Sequence, residues 1–554
     1  MNKKYLALTI GPILKTLLQA RKTRELWAAS FLLSRLMEIL CEQLDPAGAK
    51  ILIPRVAASL KSKPLYGAGI YPDRLFMDIS HFNLPKNIAS LDPEGQKEAI
   101  EKRVQSLIDT SVEKLAMECA SNMDEKTLEQ AREFWSSFFR IRWIIRDLPS
   151  IKDGALTLQL SPYLESMELE DTCFFETPPR NFFIELLNSN QFFDVPLTKH
   201  LKDGKGSYKD IMSGIYPSTS DIAAYELFKN HSAEMKSLAF NARDDAHEMF
   251  YEHIEKNDKL NKVFYPCHKY FCIVQADGDS IGKAIASLDE AADYIRFSET
   301  LSEYGQEAAE MINSFGGKPI YIGGDDLLFL APVRSDQGTI FKLIEKLDDL
   351  FPKSKLHPDA TLSFGVNITY YKYPLFEAIA EAYKILGTAK AYISAAGKKK
   401  NAISFQFTKH SGSTYEAVYS KTFAVAVATA MEKFQESSMR ESGGVVSSLI
   451  FKLYSLENLF KELINHVGTE NISDLEKRLS HTMTHYFNEW KGSEGFDQQK
   501  EAITALLVAA IKENGQEALS LFYPVMRLIQ FMIAPSISNE NNLAHDSKNI
   551  TQTT

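Results

Sequence analysis

Tyr270–Pro332 constrains this chain more than any other stretch. It reads YFCIVQADGDSIGK, then a long helical run, then PIYIGGDDLLFLAP. Tyr270–Ala276 is apolar and β-prone, and it runs into Asp277-Gly278-Asp279. Pro319–Ile322 and Leu327–Leu330 are short apolar runs on either side of Gly323-Gly324-Asp325-Asp326. Two such runs around a tight Gly/Asp turn predict a β-hairpin. Pairing the first strand with that hairpin brings Asp277 beside Asp325 and Asp326 at one rim of a sheet.

A carboxylate cluster of that kind repels itself unless a divalent cation sits in it. Mg²⁺, or Mn²⁺ in its place, suits a few carboxylates combined with phosphate oxygens. A pair of such ions can activate a hydroxyl and stabilise a leaving pyrophosphate. Gly323 and Gly324 leave the backbone bare, so a triphosphate can come close. The residues therefore point to a metal-dependent nucleotidyltransferase. The plain alternative is a surface hairpin with an acidic turn, against which stands the upstream acid at a strand end. A P-loop is a poor fit: Gly278–Lys283 is one residue short of the Walker spacing, and Ala284 stands where Ser or Thr is needed.

The 554 residues suffice for about three or four domains. A formal charge of −10 argues against a free-standing nucleic-acid binder. Cys41, Cys119, Cys173, Cys267 and Cys272 are scattered without a C-x-x-C, so a cysteine-rich zinc site is not expected and a reducing cytoplasm is. No apolar run approaches the ~20 residues of a membrane span. Met1–Leu18 reads as a buried strand and a helix rather than a leader, since Pro12 and Lys15 interrupt it.

In chain order, Tyr5–Ile10 is a candidate strand, followed by a helix to about Cys41 whose first half carries Lys15, Arg21, Lys22 and Arg24. Those cations read as a solvated face or as contacts to phosphate. Strands are expected at Ile51–Pro54, Leu75–Ile79 and Ala155–Leu160, with Pro93–Arg146 helical and broken near Asp124. This is a strand–helix–strand–strand–helix–strand order. Residues 161–262 read as mainly helical. There, His247, Glu248 and His253 have H-E-x₄-H spacing, so the histidines are not one turn apart and the group reads as a polar helix face. After the hairpin come a helix from about Gln337 to Phe351, a strand Thr361–Tyr370, a helix Pro374–Ala396 and a closing strand Ala402–Phe407. Helices follow from Tyr415 to about Ala534, and the Asn/Ser/Thr-rich residues 536–554 read as a disordered tail. The expected fold is α+β: two ferredoxin-like, nucleotidyl cyclase-like palms over residues 1–160 and 263–410, a helical insert over 161–262 and a helical bundle over 411–535.

Several of these motifs, in this order, resemble the large polymerase–cyclase subunit of type III CRISPR effector complexes, of the Cmr type (III-B). In the first palm the likeness runs over LTIGPILKTLLQARKTRELWAASFLLSRLM, with Glu25 where an Asp and Ala29 where a Gly is usual. Pro72-Asp73-Arg74-Leu75 is similar to the family's P-N-R-F. In the second it rests on Ala276–Lys283, the GGDD of Gly323–Asp326, LSFGV at Leu362–Val366, Tyr373–Leu375, Ala389-Lys390 and Gly397–Ala402.

The resemblance implies a palm that turns ATP into a nucleotide second messenger once the complex holds target RNA. Asp277, Asp325 and Asp326 would be catalytic and would hold the two metals. Gly278, Asp279, Ser280, Gly323, Gly324, Ser363 and Lys390 would form the nucleotide site, with Gly323 and Gly324 facing the phosphates and Lys390 the triphosphate. Ser363 and Gly365 are further candidates to line the base pocket. The first palm would hold the acceptor. Partners would be the other Cmr-type subunits, a CRISPR RNA and target RNA, with no membrane. Many members begin with an HD nuclease domain; this sequence opens at the first palm, so no DNase activity is expected. The usual zinc site between the palms is also missing. The implied product is a cyclic oligoadenylate, or alternatively a conjugate of AMP with S-adenosylmethionine. An inert scaffold subunit would be expected to have a damaged acid cluster, whereas Asp277, Asp279, Asp325 and Asp326 are all present.

Overall fold

The computed structural model describes residues 3–57, 68–83, 92–119, 124–148, 156–169, 217–231, 234, 247–394, 397–436, 450–467, 472–486 and 496–534. Expectations for 170–216 and for the tail at 536–554 lie outside the described residues.

The first palm is an antiparallel sheet of β1 (Lys3–Gly11), β2 (Lys50–Ile53), β3 (Arg74–Asp78) and β4 (Arg140–Leu148), in the order β2-β3-β1-β4. Strand β1 alternates as its sequence does. Leu6, Leu8 and Ile10 enter one core and Tyr5 and Ala7 the other, because successive side chains leave opposite faces. The first core is capped by helices α1 (Thr23–Leu44), α2 (Pro93–Cys119) and α3 (Glu125–Phe138). Helix α1 buries Leu26, Trp27, Leu33, Leu36, Met37, Leu40 and Leu44, the three-and-four spacing of one helical face. Its start is held by Glu25, whose carboxylate accepts from the N–H groups of Arg21 at 2.7 Å and Lys22 at 3.0 Å.

The fourth strand is not at 155–160. Residues 140–148 form it, and α4 (Leu156–Leu169) follows. Leu156, Leu158 and Leu160 alternate like a strand. The buried set is instead Leu156, Leu160 and Leu164, which is helical spacing, and Leu158 is exposed. Helix α4 covers the second face of the first sheet, and the boundary drawn at 160 falls inside it.

The second palm holds β5 (Tyr270–Asp279), helix α5 (Ala291–Phe315), β6 (Lys318–Gly323), β7 (Asp326–Pro332), and a small hairpin of β8 (Arg334–Ser335) and β9 (Gly338–Thr339). Helix α6 (Ile340–Leu350), β10 (Thr361–Tyr370), α7 (Leu375–Ala391), β11 (Ala402–Thr408) and β12 (Thr414–Ser420) complete it. The sheet order is β12-β11-β10-β5-β7-β6. Its β10-β5-β7-β6 part repeats the β4-β1-β3-β2 order of the first palm. Strand β12 stands where the start of a helix was expected. Gly412, with φ +88, turns the chain back, and β12 pairs with β11 from Thr408↔Thr414 to Ala402↔Ser420.

The palms meet reciprocally. Helix α1 of the first lies against β6 of the second, and α5 of the second lies against β2 of the first. Gly69 bridges to Tyr321, and the Ile322 N–H donates to the Gly69 carbonyl at 2.8 Å. Phe271, Ile273, Leu328 and Leu330 share one core with Trp27 and Leu36. Burying such side chains is worth about 1.5–3 kcal/mol each, so the two sheets are fixed to each other. Beyond β12, α8 (Lys421–Glu436), α9 (Glu457–Val467), α10 (Ile472–Tyr486), α11 (Phe496–Asn514) and α12 (Ala518–Ile533) make a helical bundle. Phe531 of α12 stacks on Phe407 of β11 at 4.2 Å. Among the described residues no helix is long and apolar enough to cross a membrane.

Candidate functional site

The register of the second palm builds its rim. Ala276 pairs with Leu327, so the next residues, Asp277 and Asp326, lie side by side where β5 and β7 part. Gly323 pairs with Asp326, leaving Gly324-Asp325 as the turn. Gly324 has φ +67, a region that side-chain-bearing residues rarely adopt. Gly278 is needed for another reason: a Cβ there would sit 2.3 Å from Asp325 Oδ2. Asp277, Asp325 and Asp326 each offer an oxygen within 4.8 Å of the others.

The electrostatics are those of a cluster that Lys390 compensates only in part. Burial, and then the charge of Asp277, raise the Asp325 carboxyl to about 6. Asp326 is pushed up by burial and then by the charges of Asp325, Asp277 and Asp73. Asp326 is solvent-exposed yet surrounded by protein, with Asp73 of the first palm among the charges that act on it. Oxygen donors, negative charge and that spacing suit Mg²⁺ or Mn²⁺, whose binding would relieve the repulsion.

Lys390, near the end of α7, is a cation at the rim. Its Nζ lies 2.9 Å from Asp277 Oδ1 and 3.0 Å from Asp279 Oδ1, and it donates to the Gly278 carbonyl at 2.7 Å. The family resemblance implies that it contacts a triphosphate; in the structure it is bound to Asp277, Gly278 and Asp279.

Two expected nucleotide contacts are turned inward. Asp279 is only 2% exposed, and its Oδ2 accepts from Thr361 Oγ1 at 2.8 Å, Ser363 Oγ at 2.8 Å and the Asn401 N–H at 2.9 Å. Ser363 is fully buried against it. Both support the rim from behind instead of lining the cleft. Gly365 is likewise a packing position, since a Cβ there would lie 2.5 Å from the Leu386 nitrogen of α7. Ser280, at φ 62, precedes the short helix Ile281–Ala286 and turns the chain away from the rim.

Sequence reasoning missed Asp73 as a site residue. Continuing the Thr9↔Arg74 register by one step places Asp73 beside Ile10, and the Ile10 N–H donates to the Asp73 carbonyl at 2.9 Å. Its charge acts on Asp326 and Tyr321 across the palm–palm cleft. Burial raises its own carboxyl. The available signal was the Asp of Pro72-Asp73-Arg74-Leu75 in a place where the family carries Asn.

Comparison with known proteins agrees with this arrangement. Residues 270–404 match the family described as Cas10/Cmr2, second palm domain, and residues 5–136 match the N-terminal family of the CRISPR-associated protein Cmr2. A curated relative, the CRISPR system Cmr subunit Cmr2 of Pyrococcus furiosus, is 23% identical over 238 residues, which are 37% of this chain and 27% of the relative. The matched stretch thus spans about a quarter of that relative's length. Among solved structures, the type III-B Cmr-beta complex in its apo state gives a TM-score of 0.52 at 13% identity over 90% of this chain and 78% of that one. The Cmr-beta complex bound to cognate target RNA gives 0.50 at 13% identity over 88% and 78%. A Csm1–Csm4 cassette in complex with cA4 gives 0.50 at 11% identity over 96% and 70%. At these identities the structural likenesses carry the fold. The two family matches stand in order along the chain, one on each palm, and together with the Cmr2 relative they support a Cas10/Cmr2 subunit of the Cmr type.

Proposed function

We propose that the second palm transfers the AMP part of ATP to an acceptor held by the first palm, as the signalling subunit of a Cmr-type complex with CRISPR RNA and target RNA. The carrying observation is the convergence of Asp277, Asp325 and Asp326 within 4.8 Å, beside Lys390. These carboxylates would hold divalent cations. When bound, Mg²⁺ or Mn²⁺ supplies Lewis-acid activation of the attacking oxygen and charge neutralisation of the leaving pyrophosphate. Gly278 lets Asp325 close on the rim, and Gly324 bends the turn beneath it. Lys390 keeps Asp277 oriented and offers a positive point charge to phosphate oxygens. For a cyclic oligoadenylate, a 3′-hydroxyl oxygen of the acceptor nucleotide bonds to the α-phosphorus, the α–β anhydride bond breaks, and pyrophosphate leaves. A solved relative of this fold that holds cA4 supports that product.

A second reading is favoured by Asp73. A carboxyl on the acceptor side of the cleft repels a second triphosphate and attracts a cation. S-adenosylmethionine carries a sulfonium and an ammonium, and its carboxylate oxygen would attack the same α-phosphorus. The experiment is product analysis by mass spectrometry on the assembled complex with target RNA, ATP and Mg²⁺, with and without S-adenosylmethionine. Adenylate rings from ATP alone support the first product. A conjugate that requires S-adenosylmethionine supports the second. No ATP turnover in either condition would overturn the transferase.

A further inference from the structure

A side chain of the C-terminal bundle, Glu513, reaches the end of the helix that carries Lys390. Glu513, near the end of α11, accepts a hydrogen bond from the Tyr392 hydroxyl, one from the Ser420 N–H at 2.6 Å and one from Ser420 Oγ at 2.8 Å. Tyr392 is the residue that ends α7, two positions after Lys390. Its carbonyl accepts from the Lys400 N–H at 2.8 Å. Lys400 and Asn401 are consecutive non-glycine residues in the left-handed region, with φ 64 and 51. Residues with side chains keep that conformation only where their surroundings hold them there. The strained turn aims the Asn401 N–H at Asp279 Oδ2, 2.9 Å away. Asp279 in turn sits 3.0 Å from Lys390, which binds Asp277.

A cavity of about 420 Å³ lies beside this clasp, lined in part by Lys384 and Thr388 of α7, Glu416 of β12, and Asn514 and Ser520 of the bundle. The joint between palm and bundle is therefore open along this side of α7.

From this geometry we infer that Glu513 is a positioning residue for nucleotidyl transfer, coupling the bundle to Lys390 and Asp279 through Tyr392 and the 400–401 turn. The inference rests on the transferase reading of the second palm. With Glu513 in place, Tyr392 sets both the end of the Lys390 helix and the turn that restrains Asp279. A displacement of α11 by a binding partner would change both together.

Hydrogen–deuterium exchange on the full chain tests the coupling without reference to activity. Tyr392→Phe and Glu513→Ala should speed exchange of peptides covering 397–402 and 276–283 by about three- to tenfold, the effect of removing a hydrogen bond or two. Exchange within 496–512 should stay as in the unaltered protein. Glu513→Gln, which keeps an acceptor oxygen, should fall between. In the assembled complex with target RNA, kcat/KM for product formation from ATP should drop about tenfold in the two stronger variants. Should Glu513→Ala loosen the bundle itself, Tyr392→Phe decides, because it removes only a hydroxyl. Unchanged exchange at 397–402, or faster exchange with unchanged turnover, would overturn the inference. An unaltered complex that forms no product would sink the transferase reading, while the exchange comparison would still stand or fall by itself.

Discussion

The two palms place the same strands in the same order, β4-β1-β3-β2 and β10-β5-β7-β6, yet their rims differ in chemistry. Where the second has Asp277 facing Asp326, the matching register of the first has Ile10 facing Asp73. Where the second has Gly278, closed on by Asp325, the first has Gly11, with nothing within 4 Å of its absent Cβ. A divalent cation needs several oxygen ligands at once. Among the described residues, the rim of the second palm therefore carries a set that can hold metal, and the rim of the first carries one carboxyl, Asp73, which under the proposed function would select what sits opposite. Under the proposed function, the division of labour would follow from which rim positions are acids, not from any difference in fold.

The largest expected effect breaks the comparison at its centre. Replacing Asp325 and Asp326 by Asn should lower product formation about a thousandfold or more in the assembled complex, since charge stabilisation at the reacting phosphorus is lost. Gly278→Ala should cost about a hundredfold in turnover, because its Cβ would displace Asp325. Gly11→Ala, at the matching place, should change turnover by no more than about twofold. Asp73→Asn sharpens the comparison further. If the acceptor is cationic, kcat/KM for that acceptor should fall about tenfold while ATP binding to the second palm is unchanged, as measured by titration calorimetry.

The smallest effect is on stability. Burial and Asp277 raise the folded-state Asp325 carboxyl to about 6, above its ordinary value of 3.8. The folded protein thus takes up a proton more readily than the unfolded chain. Stability from this group is present at low pH and is lost as pH rises through about 6. For protein stripped of divalent ions by EDTA and then freed of the chelator, the Tm near pH 7.5 should rise by about 2–4 °C on adding Mg²⁺, and by less at pH 5.5, where protons already compete for the same oxygens. The corresponding shift should vanish in the Asp325→Asn, Asp326→Asn protein, which leaves the first palm intact.

What the sequence made legible was local. The acid-tipped strand and the GGDD hairpin are short-range patterns, and both form as expected. Strand β4 was hidden because Arg140–Leu148 follows two long helices without a turn signal, and Leu156, Leu158 and Leu160 imitate strand alternation. Strand β12 was hidden by running directly into α8. The inward role of Asp279 was not legible, because its partners Thr361, Ser363 and Asn401 arrive from two other strands' ends. Asp73 gains meaning only when the second palm is placed across from it. Glu513 lies in a helix that reads as bundle packing, and nothing in its neighbours indicates that it reaches Tyr392.

The most direct test of the account is anomalous diffraction from crystals of the protein soaked with Mn²⁺ and an ATP analogue whose α–β bridge is methylene. The account predicts manganese within about 2.1–2.3 Å of carboxylate oxygens of Asp277 and of Asp325 or Asp326, with the analogue's α-phosphate on the same ions and none on the first palm. Manganese bound elsewhere, or the analogue seated in the cleft with no metal at this rim, would contradict it.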